Sequence, residues 1–274
     1  MIIRHGKTVH NKLGLFTGWE DAPLAMEGRG EATAAGQMLR RHGFTFDVVY
    51  TSWLERAIET AWLVLTELDE IWLPVHKSWR LNERMYGSLT GLSKKRTKAQ
   101  YGAEMFMKWR RSYHTRPPSV DSFSPLYPGN DERYVRYVQD LPISLRETLV
   151  RSIARGRPSL HRKLPRTESL RDCMARTIPY WTNSIEKRAI SKGKSVLIAS
   201  SENAIRGLLM HLLGIEPTRI SEVEIPTGLP LVVDLELGKL RLLEGTPADY
   251  NFGKSGAELL FDEMPVAASP ERNI

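Results

Sequence analysis

Cysteine is nearly absent from this chain of 274 residues, which has 1 cysteine, Cys173. No disulfide can therefore form within the chain, and a disulfide-stabilised scaffold is excluded. The helical neighbours of Cys173 favour a packed core position for its thiol. Long hydrophobic runs are also absent: the longest, such as 229–233, fall far short of the roughly 20 residues that cross a bilayer. We therefore expect no membrane-spanning segment and no membrane partner.

Recognisable targeting signals are missing as well. The first residues, MIIRHGKT, lack the apolar stretch and the small-residue cleavage site of a secretory signal. The last three, RNI, match no retrieval or peroxisomal signal. We therefore expect a cytoplasmic protein.

The composition that remains is that of a globular chain. Hydrophobic residues make up 41% of the sequence, charged residues 26% and aromatic residues 8%, which excludes a disordered or collagen-like chain. The 39 Lys and Arg residues outnumber the 32 Asp and Glu residues and give a formal net charge of +7. This excess favours anionic partners, and it leaves both nucleic acid and phosphorylated metabolites open.

Short apolar strands alternate with amphipathic helices along the chain. The segments FDVVYTS (46–52) and SVLIAS (195–200) are predicted strands, and each leads into a helix that Ser52 or Ser201 would cap. Other helices are predicted for 27–42 and 170–185, and further strands for 231–237 and 240–243. This order predicts an α/β fold, a three-layer sandwich with a mostly parallel central sheet flanked by helices. Ligands of such sheets bind beyond the carboxyl ends of the strands.

Two regions fall outside this pattern. We predict one domain over 1–245, interrupted by a basic insertion at about 143–163, and a flexible tail over 246–274 that is scattered with Pro, Gly, Ser and Asn. The insertion contains an amphipathic stretch followed by RGRPSLHRKLPR. Nucleic-acid binding would need stacking aromatic rings beside this charge, and His161 is the one ring within the run. The pattern therefore favours a solvated basic insertion, but it leaves nucleic acid open.

The tripeptide RHG (Arg4 to Gly6) follows the expected first strand. A histidine there, next to an arginine, can attack a phosphoryl group whose charge the arginine neutralises. Arg56 lies just inside the helix of TSWLERAIETA, and Glu83 lies in RLNERMYG. Each motif is weak alone, since arginine and glutamate at such places usually form surface ion pairs.

Together the motifs are specific. The segments RHGKTVHNKLGLFTGWEDAPL, DVVYTSWLERAIETAWLVL, SWRLNERMYGSLTGL, WRRSY and EIPTGLPLVVDLEL resemble the 2,3-bisphosphoglycerate-dependent phosphoglycerate mutases of the histidine phosphatase superfamily. The resemblance runs from Met1 to about Glu244, apart from the insertion. It implies interconversion of 3-phosphoglycerate and 2-phosphoglycerate through a phosphohistidine, with 2,3-bisphosphoglycerate as the primer and without a metal. Many members of the family are dimers or tetramers, so a homo-oligomer stays open.

The resemblance also implies residue roles. His5 would carry the phosphoryl group, Arg4 and Arg56 would clamp it, and Glu83 would be the general acid and base. The contacts to the phosphoryl group and to the rest of the phosphoglycerate substrate would come from Asn11, Thr17, Gly18, Tyr86, Lys94, Arg110, Arg111 and Asn203.

The sequence departs from the family at the start of the helix after SVLIAS. The family has His-Gly-Asn there, and this chain has Ser201, Glu202 and Asn203. Loss of one preorganised donor typically costs about 10²- to 10³-fold in rate, and a carboxylate should repel a phosphoryl group. We therefore expect a mutase of impaired rate. A weak phosphatase remains open, as does an inactive relative that binds phosphorylated metabolites or protein partners.

Overall fold

A computed structural model describes residues 1–137, 143–155 and 164–261 of the chain. Its first half contains the elements β1 (Ile2–Arg4), α1 (Val9–Leu13), α2 (Met26–Arg41), β2 (Val48–Thr51), α3 (Glu55–Glu67), β3 (Val75–Lys77) and α4 (Lys94–Arg111). Its second half contains α5 (Glu132–Tyr137), α6 (Ile143–Ala154), α7 (Leu170–Tyr180), β4 (Val196–Ser200), α8 (Glu202–Leu213), β5 (Pro230–Asp234), β6 (Lys239–Arg241) and α9 (Gly256–Leu260). A π-helical segment, Trp181–Glu186, continues α7.

The described strands form one sheet in the order β3-β2-β4-β1-β5-β6. The β3–β2, β2–β4 and β4–β1 pairs are parallel, whereas β5 and β6 are antiparallel to their neighbours. Strand β1 is central: Ile2 is paired with Ile198 of β4 and with Leu231 of β5. The predicted mostly parallel α/β sheet is confirmed.

Helices cover both faces of the sheet. Successive residues of a strand point to opposite faces, so Ile2 and Ile3 lie in different clusters. Ile3 lies in one buried apolar cluster with residues of α2 and α3, such as Leu39 and Val64. Ile2 lies in the other, with residues of α8 such as Leu208 and with Trp181 of the π-helical segment. These two clusters lie on opposite faces of the sheet, between the sheet and the helices that cover it. The carboxyl ends of β1, β2 and β4 lie at the same edge of the sheet, because these strands are parallel.

The predicted helix caps differ in detail from the structure. Helix α3 begins after Leu54 rather than after Ser52, and the Ser52 hydroxyl accepts a hydrogen bond from the Leu54 amide at 3.2 Å. Ser201 is the N-cap of α8, as predicted, but its side chain accepts no capping hydrogen bond. The hydroxyl instead lies 3.5 Å from Nη2 of Arg56. A long-range contact has thus replaced the local one that the capping rule predicts.

The amphipathic stretch of the predicted insertion forms α6, while Arg157, Arg162 and Lys163 lie outside the described residues. The predicted tail is packed where it is described: the side chains of Phe252 and Leu260 are 1% and 2% exposed and belong to the core cluster around α8. Residues 246–261 are therefore an ordered extension of the domain rather than a flexible segment, because they contribute apolar side chains to the core. The expected tail beyond Phe261 lies outside the described residues.

Over the described ranges, no helix is both long and apolar enough to cross a membrane.

Candidate active site

A small cavity lies at the carboxyl edge of the sheet. Its volume is about 40 Å³, well below the roughly 300 Å³ or more of pockets that bind drug-sized ligands. It is lined by Arg4, His5, Asn11, Phe16, Thr17, Gly18, Arg56, Glu83, Tyr86, Lys94 and Glu202. Nine of these eleven lining residues are ones that the sequence singled out for phosphoryl transfer, and Phe16 and Glu202 are the others. The structure therefore brings most of the predicted site together.

His5 is held as a neutral imidazole with one defined tautomer. Its Nδ1 lies 2.8 Å from the Gly6 carbonyl oxygen, to which it can only donate. Its Nε2 accepts a hydrogen bond from Nε of Arg56 at 3.1 Å. Burial first, and then the charges of Arg56 and Arg4, lower the pKa of His5 well below its ordinary value of 6.5. The unprotonated Nε2 therefore has the lone pair that a nucleophile needs, and attack on phosphorus requires that its hydrogen bond from Arg56 be given up.

The backbone around His5 is fixed by its neighbours. The His5 amide donates to the Ser200 carbonyl at 2.9 Å, which continues the pairing of β1 with β4. A Cβ atom on Gly6 would collide with the carbonyl oxygen of Gly28, so only glycine lets the chain pass this close to α2. The glycine of the RHG motif thus has a packing role that places the preceding histidine.

Arg56 is 1% exposed and is held by four acceptors, one of which is the Ser201 hydroxyl described above. Besides the contact to His5, its Nη1 donates to the Glu20 carbonyl at 3.0 Å and its Nη2 donates to the Gly18 carbonyl at 2.9 Å. None of these partners is a carboxylate, so the guanidinium charge stays free for an anionic ligand. A rigid arginine beside the histidine is what a phosphoryl clamp needs.

Glu83 also lines the cavity and is 6% exposed. Its Oε1 accepts hydrogen bonds from Nδ2 of Asn203 at 2.7 Å and from the Arg84 amide at 2.7 Å. Nδ2 of Asn203 also donates to the Tyr86 hydroxyl at 3.1 Å. Asn203 therefore orients Glu83, the predicted acid and base. Its predicted role in the site rests on these contacts to Glu83 and Tyr86.

Glu202 reaches into the cavity from the first turn of α8. Its Oε2 lies 3.2 Å from Nη2 of Arg4, and its Oε1 accepts a hydrogen bond from Nη1 of Arg111 at 2.7 Å. Burial alone would raise the pKa of the Glu202 carboxyl, but the charges of Arg4, Arg111 and Arg206 outweigh it and hold this pKa far below its ordinary value of 4.5. The carboxylate that is expected to repel a phosphoryl group is therefore buried and is already bound to two arginines, Arg4 and Arg111.

The cations predicted to bind the rest of the substrate differ in whether they pair with carboxylates of the chain. Nη2 of Arg111 also bonds to Glu224, and Nη2 of Arg110 lies 3.8 Å from the same carboxylate. Arg110 is beside the cavity but does not line it. Lys94 lines the cavity and forms no salt bridge with a carboxylate of the described chain. Burial first, and then Arg110, lower the pKa of Lys94 to about 8.

Sequence reasoning missed several contributors to the site. Glu224 is the first residue of the segment EIPTGLPLVVDLEL, and no local pattern predicts its ion pair with Arg111. Thr60, one helical turn after Arg56, accepts a hydrogen bond from the Gly6 amide at 3.0 Å. The guanidinium of Arg84, which is 0% exposed, lies 4.6 Å from the centre of the Tyr86 ring. The number of arginines around RLNERMYG was the available signal for such a cluster.

The site contains no obvious metal-binding set: within the described ranges, no three His, Cys, Asp or Glu side chains are grouped to hold an ion. Metal-free chemistry therefore stays a prediction from the resemblance. A larger cavity of about 960 Å³ lies beside α3 and is lined by aromatic and apolar residues such as Trp53, Ile58 and Trp62. None of the predicted site residues lines it, so the phosphoryl-transfer chemistry is assigned to the small cavity.

Solved structures with the same fold include phosphatases and a mutase. The alpha-ribazole phosphatase from Shigella flexneri is 22% identical, with a TM-score of 0.57 over 88% of this chain and 92% of that one. A mycobacterial glucosyl-3-phosphoglycerate phosphatase is 19% identical, with a TM-score of 0.57 over 83% and 88% of the two chains. The phosphoglycerate mutase from Bacillus anthracis is 22% identical, with a TM-score of 0.50 over 77% and 78%. At these identities the likeness concerns the fold.

The family itself is established by sequence. The family model of the histidine phosphatase superfamily (branch 1) matches residues 1–143, which is just over half of the 274 residues. This range includes His5, Arg56 and Glu83 and ends before Ser201 and Glu202. With a buried neutral histidine, its arginine and its carboxylate gathered in one cavity, the chain belongs to branch 1 of the histidine phosphatase superfamily.

Proposed function

We propose that the protein is a slow phosphatase that hydrolyses small phosphomonoesters through a phosphohistidine on His5. One observation carries the proposal: the unprotonated Nε2 of His5 lies 3.1 Å from the buried Nε of Arg56, in a cavity that Glu83 also lines. A nucleophile, a fixed cation for the developing charge and a carboxyl group for proton movement are the parts that phosphoryl transfer requires.

The reaction has two steps. Nε2 of His5 attacks phosphorus, the ester P–O bond breaks, and Glu83 supplies the proton that the leaving oxygen takes. Water then attacks the phosphohistidine, the N–P bond breaks, and inorganic phosphate leaves while Glu83 takes a proton back from the water. Asn203 keeps the Glu83 carboxyl in place through its bond at 2.7 Å. The reaction is slow, because Ser201 cannot replace an imidazole donor and because the small cavity must open for substrate.

The occupied state of Arg111 favours a phosphatase over a mutase. A mutase must hold the phosphoglycerate that accepts the phosphoryl group of His5, and then the 2,3-bisphosphoglycerate that forms, and Arg111 is among the residues expected to bind this substrate beyond its transferred phosphate. Here both terminal nitrogens of Arg111 bond to carboxylates of the chain, those of Glu202 and Glu224. When phosphoglycerate is held weakly, water accepts the phosphoryl group of His5 instead.

A phosphoglycerate mutase primed by 2,3-bisphosphoglycerate is the second candidate. The observation that favours it is the retention of Tyr86 and Lys94 in the lining of the cavity, with Arg110 and Arg111 beside it. An inactive relative that binds phosphorylated metabolites is the third, motivated by the absence of a histidine at Ser201.

Transfer of label from ³²P-labelled 2,3-bisphosphoglycerate to the purified full chain separates these candidates. His5→Ala is the control, because acid-labile label that persists in this variant is not phosphohistidine on His5. We expect label that leaves as inorganic phosphate during a chase with unlabelled 3-phosphoglycerate. Label that chases into 2-phosphoglycerate would establish the mutase and refute the phosphatase. If no label forms from this donor or from acetyl phosphate, the protein is not a phosphoryl-transfer enzyme of this kind.

A further inference from the structure

Glu202 places a buried carboxylate among the residues that are expected to bind a substrate. Its carboxylate bridges Arg4, which precedes the nucleophile in the chain, and Arg111, which lies behind the lining of the cavity. The side chain is 15% exposed and that of Arg111 is 6% exposed, so both charges lie in a largely dry environment. There, exchange of one ion pair for another has a large effect on free energy.

A ligand carboxylate could bind Arg111 only by displacing a carboxylate that the chain supplies. Glu202 and Glu224 bond to the two terminal nitrogens of Arg111. If Glu202 stays, the ligand carboxylate meets a buried like charge, which is unfavourable. If Glu202 leaves, it loses its contacts to both Arg4 and Arg111. Either route lowers the affinity for a ligand that has a carboxylate at this end.

The other cations of the cavity are less fully occupied, although Glu202 also contacts Arg4, which is expected to clamp the phosphoryl group. Arg56 donates to the carbonyl oxygens of Gly18 and Glu20 and to His5, and to no carboxylate. Lys94 forms no salt bridge with a carboxylate of the described ranges. Arg56 and Lys94 therefore remain available for a phosphate, whereas Arg4 and Arg111 are already paired with carboxylates of the chain.

We infer that Glu202 determines the substrate class: the site prefers phosphomonoesters whose organic part has no carboxylate and binds phosphoglycerate-type acids more weakly. This inference rests on the proposed function, since it concerns the substrate of the same cavity. The chain itself provides the carboxylate that a phosphoglycerate would otherwise bring. A neutral group such as a hydroxymethyl leaves the ion pairs of Glu202 undisturbed.

A pair of ligands that differ only at this group tests the inference. Racemic glycerol 3-phosphate has a hydroxymethyl group where 3-phosphoglycerate has a carboxylate, and the phosphate and the three-carbon chain are the same. Binding of each ligand to the full chain in a His5→Ala background is measured by isothermal titration calorimetry, so that neither ester is consumed. We expect glycerol 3-phosphate to bind at least about tenfold more tightly, which corresponds to about 1.4 kcal/mol.

Two further variants in the same background assign the preference to one side chain. Glu202→Gln should abolish or reverse it, because the amide carries no charge and leaves Arg4 and Arg111 for the ligand carboxylate. Glu224→Gln is the matched control: this carboxylate also pairs with Arg111, but it does not line the cavity and should leave the preference in place.

Several results would overturn the inference. Equal binding of the two ligands in the His5→Ala protein would do so without any further variant, as would tighter binding of 3-phosphoglycerate or no binding of either ligand at millimolar concentration. Retention of the preference in Glu202→Gln would also contradict it. Binding needs no turnover, so a preference for glycerol 3-phosphate in a protein that forms no phosphohistidine would support the inference while refuting the proposed phosphatase.

Discussion

Replacement of Glu202 by glutamine should destabilise the protein, because it removes a buried carboxylate that pairs with two arginines. The substitution leaves Arg4 without its carboxylate and leaves Arg111 with Glu224 alone. Breaking a buried ion pair by removal of one partner costs about 3 to 5 kcal/mol. Because Arg111 keeps its second carboxylate, we expect the lower end, about 3 kcal/mol, which for a domain of this size lowers Tm by roughly 6 to 12 °C.

The assay is thermal unfolding at pH 7 by calorimetry or circular dichroism, with Glu224→Gln as the matched control. Glu224 is about one-third exposed, so its loss should cost no more than about 1 kcal/mol. Phosphate should partly restore the Glu202→Gln variant, because it supplies the missing anion to the arginines. An unchanged or higher Tm in Glu202→Gln, or an equal loss in both variants, would refute the inference that Glu202 is a paired buried charge.

The same substitution should change the pH dependence of stability. The pKa of Glu202 is lower in the folded protein than its ordinary value of 4.5, so the folded state holds fewer protons at this group than the unfolded state. Its contribution is therefore complete above pH 4.5 and is lost as the pH falls below it. The difference in stability between the wild type and Glu202→Gln should shrink on acidification from pH 5 to pH 3, and a constant difference would contradict the assignment.

Four other predictions test separate parts of the structure. The double substitution Ser201→His with Glu202→Gly should raise the rate of phosphohistidine formation about 10²-fold, measured by rapid-quench labelling, since it restores one donor and removes one competitor; an unchanged rate would argue against this account of the site. The ring signals of His5, assigned in NMR spectra by comparison with His5→Gln, should not move between pH 8 and pH 6, because its pKa lies well below 6.5. The affinity for inorganic phosphate should fall as the pH rises through about 8, the pKa of Lys94, and Lys94→Arg should remove this step in a calorimetric titration. Phe252→Ala should cost about 3 kcal/mol or more in a denaturant titration, because this ring is 1% exposed, whereas a loose segment would show no loss.

The sequence specified those parts of the fold that depend on local patterns. Strand β4 is a run of apolar residues bounded by polar ones, and α8 has an apolar stripe closed by Gly214, so both were predicted within a few residues. The packing of residues 246–261 could not be predicted in this way, because Phe252 and Leu260 are isolated apolar residues among turn-forming ones. What holds them is a core formed by distant elements.

The site shows the same division. The motifs placed His5 and Arg56 correctly in one cavity, since each lies just after a strand of the same sheet. The side-chain partners of Glu202 could not be deduced, because Arg111 is 91 residues away in the chain and Arg4 is still farther. A helix cap and a first-turn carboxylate are adequate local explanations of Ser201 and Glu202. Only the assembled cavity shows that both side chains face arginines.

The position of β1 in the middle of the sheet has a consequence for biosynthesis. This strand is synthesised before both of its partners, which are Val196–Ser200 on one side and Pro230–Asp234 on the other. At about 5 to 20 residues per second, roughly 10 to 50 seconds pass before both partners have been made. During that time the apolar Ile2 and Ile3 have no strand to pair with. The nascent chain must therefore keep these two apolar residues from aggregation until Pro230–Asp234 has been made, which favours binding of chaperones to the unfinished chain.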